Sequence, residues 1–129
     1  ALAVAQTGSD NELLELSSQI AHPVHTLSNT SHAGDLPLED SFLTVEGNVK
    51  VSAVKMPEDK TQNQVILRFY HTGEDATDAA FHFAGYRVKS AQTTDLLEHP
   101  KEELPVDGDT VTVTVQPDTM RTICVTLEQ

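Results

Sequence analysis

At 129 residues the chain is about one domain long, enough to bury a single core without disulfide or metal staples. With 20 Asp and Glu against 8 Lys and Arg, its net charge of −12 opposes phosphate backbones and leaves no basic stripe, which excludes nucleic acid as an expected partner. No apolar run approaches the roughly 18 residues a bilayer requires, so no membrane partner is expected, and the acidity reads as a solvated surface.

Ala1 to Gln6 is β-compatible, too short for a signal peptide and without a basic flank, and its abrupt start suggests a fragment of a longer protein. Ser9-Asp10-Asn11-Glu12 fits a capping box, in which residues three apart satisfy each other's free amides. A helix is expected from there, with Leu13, Leu16 and Ile20 on one stripe and Leu14 beside them. It should end near His22, because Pro23 disfavours helical geometry in the residue before it. A short strand is predicted over Val24 to Leu27, so that residues 1–28 form a strand, helix and strand lead-in. Ser28 to Asp35 is then a loop, rich in residues that bond their own backbone.

From Ser41 onward the pattern has period two. Ser41 to Lys55 reads as strand, turn and strand, with Val49, Val51 and Ala53 alternating against Lys50, Ser52 and Val54. Val65 to Tyr70 is almost continuously apolar or aromatic, which suits a central strand covered on both faces. Ala79, Phe81 and Phe83 alternate with Asp78, Ala80 and His82. A strand over Arg87 to Thr94 leads into an irregular connection, Asp95 to Pro100.

The last third alternates most strictly. Val111, Val113 and Val115 interleave with Thr110, Thr112 and Thr114, and Ile123, Val125 and Leu127 with Thr122, Cys124 and Thr126. Asp107-Gly108 marks a turn before the first strand, and Gln116-Pro117-Asp118-Thr119 suggests that the two form an antiparallel hairpin. About six to eight short strands with one amino-terminal helix indicate an all-β fold, an antiparallel β-sandwich forming one domain over residues 1–129.

Catalytic chemistry is harder to place. His22 and His25 are the closest of six histidines, but Pro23 between them breaks helical spacing and no third ligand follows at a diagnostic distance. His71 and His82 could approach each other only if their strands pair. Glu39-Asp40, Glu58-Asp59, Glu74-Asp75 and Glu102-Glu103 fall in predicted loops or turns without the apolar surroundings that raise a carboxyl pKa for acid catalysis. No nucleophile elbow or phosphate loop occurs. No catalytic, cofactor-binding or metal residue is assigned. Cys124 stands alone, which fits a reducing compartment, and a cytoplasmic location is expected. A sugar-binding platform needs exposed aromatics; without Trp, Tyr70 and Tyr86 are the candidates. The hairpin's outward positions, Thr110, Thr112, Thr114, Thr122, Cys124 and Thr126, would form an uncharged face, a candidate docking surface for another domain.

Several segments together resemble the carboxy-terminal β-sandwich region of glycoside hydrolase family 38, the α-mannosidases. These are Ala1 to Gln6 with Gly8-Ser9-Asp10, Ile20 to Val24, Ser41 to Lys55 with Glu58-Asp59, Val65 to Gly73, Asp95-Leu96-Leu97-Glu98 and Arg121-Thr122. At His22 this chain departs from the amide side chain usual in the family. The resemblance implies a non-catalytic accessory domain of an α-mannosidase, which stabilises its parent and helps shape the substrate cleft. It implies as partners the parent's other domains and, through them, a mannoside substrate. The family's retaining hydrolysis uses zinc in an amino-terminal α/β barrel outside this sequence, so no catalytic or zinc residue transfers and no cofactor is expected in this chain. The alternatives are an independent carbohydrate-binding or interaction β-sandwich module, and a small hydrolase working without a barrel.

Overall fold

The structure is a computed structural model that describes residues 10–28, 30, 33–35 and 37–129. Two compact units divide the chain, residues 1–38 and residues 39–129.

In the first unit, α1 spans Asp10–Ala21. The amide of His22 still bonds Ser18 O at 2.8 Å, and Pro23, which has no amide to donate, ends the helix there. The proposed Ser9 cap and the strand over Ala1 to Gln6 lie outside the described residues. Leu14 and Leu16 are half-buried, whereas Leu13 and Ile20 of the same stripe are exposed. No strand forms over Val24 to Leu27. Val24 and Leu27 are 90% and 98% exposed, and without a neighbouring strand the β propensity of Val24 has nothing to pack against.

The second unit is a β-sandwich, as the alternation implies. Its strands are β1 Leu43–Glu46, β2 Lys50–Lys55, β3 Gln64–His71, β4 Thr77–Phe83, β5 Arg87–Thr94, β6 Pro100–Glu103, β7 Val106–Asp107, β8 Thr110–Val115 and β9 Thr119–Glu128. They form a four-stranded sheet in the order β1-β4-β8-β7 and a five-stranded sheet in the order β2-β3-β9-β5-β6, with antiparallel pairing throughout.

Between the sheets lies one apolar core. Leu67 and Phe69 of β3 and Ile123, Val125 and Leu127 of β9 face Ala79, Phe81 and Phe83 of β4 and Val111, Val113 and Val115 of β8. The rings of Phe69 and Phe81 meet across the gap with centroids 4.6 Å apart. As expected for a central strand, β3 is covered on both faces: Leu67 and Phe69 face the core, while Ile66, on the other face, is also buried.

The final pair of strands corrects the sequence reading. β8 and β9 are not a hairpin; β8 pairs with β4 and β7, and β9 pairs with β3 and β5. Gln116 to Asp118 carries the chain from one sheet to the other. Facing sheets lie about 10 Å apart, a distance three extended residues can span. Strict alternation is the same for a hairpin and for such an arch, because both strands turn their Val and Ile side chains to a common core. A true hairpin closes β7 and β8 instead, with Gly108 at φ 62 in the two-residue turn.

The alternation through Val49, Val51 and Ala53 also breaks. A register shift between Val51 and Ala53 pairs Ala53 with Arg68 and Val54 with Leu67, so Ala53 lies on the outward side with Arg68. Ser52 is the extra residue of this bulge.

Candidate functional site

On the outer face of the five-stranded sheet, a groove of about 640 Å³ runs between two loops. Ile66 and Cys124 floor it, the segment from Pro57 to Thr61 forms one wall, and Leu97 to Pro100 forms the other. The walls are tied together. Lys55 Nζ lies 2.7 Å from Glu98 Oε1 and 3.3 Å from Glu58 Oε2, and the amide of Glu58 donates to Glu98 Oε2 at 2.7 Å. Asp95 Oδ1 accepts from the amides of Leu97 and His99, at 2.8 and 3.0 Å, and closes the second loop on itself.

These bonds decide the groove's chemistry. The Lys55 ammonium, with the Glu58 amide, holds the Glu98 carboxyl below its ordinary range. The amide of His99 does the same for Asp95, and that of Thr61 for Asp59. General-acid catalysis of glycoside cleavage needs the opposite, a carboxyl kept protonated near neutral pH. Cys124 is buried, and burial, reinforced by Glu98 and Asp59, pushes its thiol up and away from the nucleophilic thiolate.

The candidate threonine face divides between two sides of the molecule. Thr110, Thr112 and Thr114 lie on the outer face of the four-stranded sheet, where Thr114 donates to Asp78 Oδ1 at 2.7 Å and His82 stands 3.1 Å from Asp109. Thr122, Cys124 and Thr126 lie on the outer face of the other sheet. Thr122 is buried and accepts from Arg68 Nε, Cys124 is buried, and Thr126 accepts from Gln64 Nε2. The six residues therefore form no single uncharged surface. That reading depended on β8 and β9 pairing as a hairpin.

The histidines also separate. His22 and His25 are exposed. His71 and His82 belong to strands in different sheets and do not meet through strand pairing. His71 is 2% exposed, with Nδ1 2.5 Å from Asn48 O and Nε2 2.7 Å from Asp75 O, so it links the turn after β1 to the loop after β3. Glu39-Asp40, Glu58-Asp59 and Glu74-Asp75 lie on exposed loops or turns, while Glu102-Glu103, expected in a turn, lies in the exposed edge strand β6. Among the described residues no three His, Cys, Asp or Glu side chains converge to hold a metal.

At one end of the sandwich lies a groove of about 400 Å³, lined by Phe42, Asn63, Gln64, Val65, Tyr86, Leu127 and Gln129. Phe42 and Tyr86 meet edge to face, with centroids 5.6 Å apart and planes at 77°. Tyr70, the other aromatic candidate, is half-buried and shares the outward side of β3 with Arg68. Phe42 carried no signal in the sequence, since an aromatic residue entering a strand reads as core.

A family model described as the glycosyl hydrolases family 38 C-terminal beta sandwich domain matches residues 48–123. Those residues run from the turn before β2 into β9. No curated protein and no solved structure matches the chain. With more than half of its length matched and two antiparallel sheets enclosing one core, the chain belongs to the family of C-terminal β-sandwich domains of family 38 glycosyl hydrolases.

Proposed function

We propose that this chain is the non-catalytic accessory module of an α-mannosidase, stabilising a larger parent that carries the zinc-dependent chemistry and helping to shape its cleft. The family match across the sandwich supports this reading most directly. Two carboxyls of the groove agree with it, since the amide of Thr61 lowers Asp59 and Lys55 lowers Glu98, the direction opposite to that of a general acid. The lone thiol, Cys124, suits a parent in the reducing cytoplasm.

Of the two outer faces, that of the five-stranded sheet is the better docking surface for a parent domain. Seven of the eight Lys and Arg residues, Lys50, Lys55, Lys60, Arg68, Arg87, Lys89 and Lys101, fall on its strands or on the loop between β2 and β3, beside Glu102, Glu103 and Glu128 of the same sheet, and the eighth, Arg121, pairs with core-facing Phe69; the four-stranded sheet carries Glu46, Asp78 and Asp107 and no Lys or Arg. Met120 shares a face with Tyr70, and Leu96 and Leu97 sit in the loop that Arg68 Nη2 reaches at Leu96 O, all three exposed. A partner presenting apolar side chains ringed by carboxylates would complement this surface.

The test is the native size of the polypeptide, read on a blot of source-cell extract with an antibody against this sandwich. A band several times heavier than 14.0 kDa is expected. A band at 14.0 kDa overturns the accessory role and favours an independent carbohydrate-binding module.

A further inference from the structure

The groove at the end of the sandwich differs chemically from the rest of this acidic surface. Phe42 precedes β1, Asn63 ends the loop before β3, Tyr86 follows the turn after β4, and Gln129 follows β9, so four separate segments converge there. No charged side chain lines it. Three other grooves on the sandwich contain Glu102 and Arg121, Glu58 and Glu98, or Asp95 and Lys101. On a chain of net charge −12, a recess whose side chains combine aromatic rings with the carboxamides of Asn63 and Gln64 suits an uncharged polar ligand better than an anion.

We propose that this recess binds a neutral pyranoside. Phe42 stands edge to face with both Phe83 and Tyr86, and the part-exposed rings of Phe42 and Tyr86, 43% and 36% exposed, supply apolar surface for the C–H side of a sugar. Carboxamides present a donor and an acceptor together, which matches vicinal hydroxyls, each of which both donates and accepts. A volume of about 400 Å³ holds one or two sugar rings. The backbone is fixed where it matters: Leu127 N donates to Asn63 O at 2.8 Å, and Tyr86 N to Phe83 O at 3.2 Å.

The test titrates the 129-residue chain with methyl α-D-mannopyranoside, methyl α-D-glucopyranoside and, as charged controls, glucuronate and phosphate, following backbone amide shifts by two-dimensional NMR. A neutral methyl glycoside should give saturable shifts confined to residues near 42, 63–65, 86 and 127–129, with a dissociation constant on the order of 1 mM. Tyr86→Ala should weaken binding by about tenfold or more, while Tyr86→Phe, which keeps the ring, retains it. Asn63→Gly removes a carboxamide at φ 62, which glycine adopts without strain, and should weaken binding with the spectrum otherwise intact. No saturable shift up to about 50 mM glycoside, shifts located elsewhere, binding that survives Tyr86→Ala, or tighter binding of glucuronate or phosphate overturns the proposal. The measurement uses the free chain, so its failure leaves the accessory role standing, and a band at 14.0 kDa on the blot leaves this site standing.

Discussion

Nζ of Lys55, at the end of β2, lies 2.7 Å from Oε1 of Glu98, in the loop after β5, and so clips two segments together over the outer face of the five-stranded sheet. Glu98 holds this position at φ 69, a backbone conformation that is uncommon for a residue with a side chain. Its carboxyl is lowered chiefly by Lys55, and the carboxyls of Asp59, Asp95 and Asp109 are lowered by Thr61, His99 and Thr110. A lowered carboxyl binds protons less readily in the fold than in the unfolded chain. Its stabilisation is therefore complete above the ordinary values of 3.8 for Asp and 4.5 for Glu, and it is lost as pH falls through the lowered folded values. Melting midpoints should hold near neutral pH and fall below about pH 4.5. Glu98→Gln should melt lower at neutral pH and show a shallower acid fall; curves parallel to wild type at every pH would remove Glu98 from this account.

Gly47 bridges the two sheets at φ 100, and a Cβ there would sit 2.4 Å from the carbonyl oxygen of Asp78. That oxygen belongs to the backbone of β4 and cannot rotate away. Gly47→Ala should cost at least about 2 kcal/mol, combining left-handed strain with displacement of the strand. Denaturant unfolding gives the value directly, and a loss under about 0.5 kcal/mol would mean that β4 yields easily.

His71 and Phe81 mark the limits of what the pattern of residues can say. Period two places Phe81 in the core without any knowledge of topology, because a strand with one buried face must alternate. It also placed β8 and β9 correctly as strands, yet it could not say which sheet each joins. That choice depends on how far residues 116–118 reach and on which edges β4 and β3 leave open. His71 could equally have been solvated or satisfied; only the closure of two loops brings Asn48 O and Asp75 O to its ring. The recess at Phe42 and Tyr86 was half visible, as one aromatic candidate, because convergence of four segments at one end is a property of the assembled sandwich.

Substituting His71 tests that closure. His71→Phe keeps a buried ring but supplies no N–H group to either carbonyl oxygen, and a buried acceptor that loses its donor costs about 1 to 3 kcal/mol. The neighbouring Gly73 is coupled to it, since a Cβ there would meet His71 Cε1 at 2.4 Å. Gly73→Ala should therefore destabilise strongly in the wild type and by less in a His71→Ala background, a non-additivity that a double-mutant cycle measures. Additive losses would show that the ring is free to move aside.

At the centre, Phe81 of β4 carries the contact between sheets through Phe69 of β3. Phe81→Ala should cost about 3 to 5 kcal/mol, because the buried ring leaves a cavity that two paired sheets cannot close. Urea denaturation should show the lower midpoint with little change in slope.

Docking through the five-stranded sheet makes opposite demands on the isolated chain and on its parent. Met120 and Leu97 are 55% and 76% exposed, so Met120→Asp and Leu97→Asp should change the melting of the 129-residue chain by less than about 0.5 kcal/mol. In the parent the same carboxylates would be buried against an apolar partner surface without a counter-charge, and loss of domain packing should appear as a lower melting midpoint and faster limited proteolysis. Thr112→Lys, on the opposite sheet, is the control and should leave the parent unchanged. If Thr112→Lys loosens the parent while Met120→Asp and Leu97→Asp do not, the docking surface is the four-stranded sheet, and the concentration of cations on the other face has a different cause.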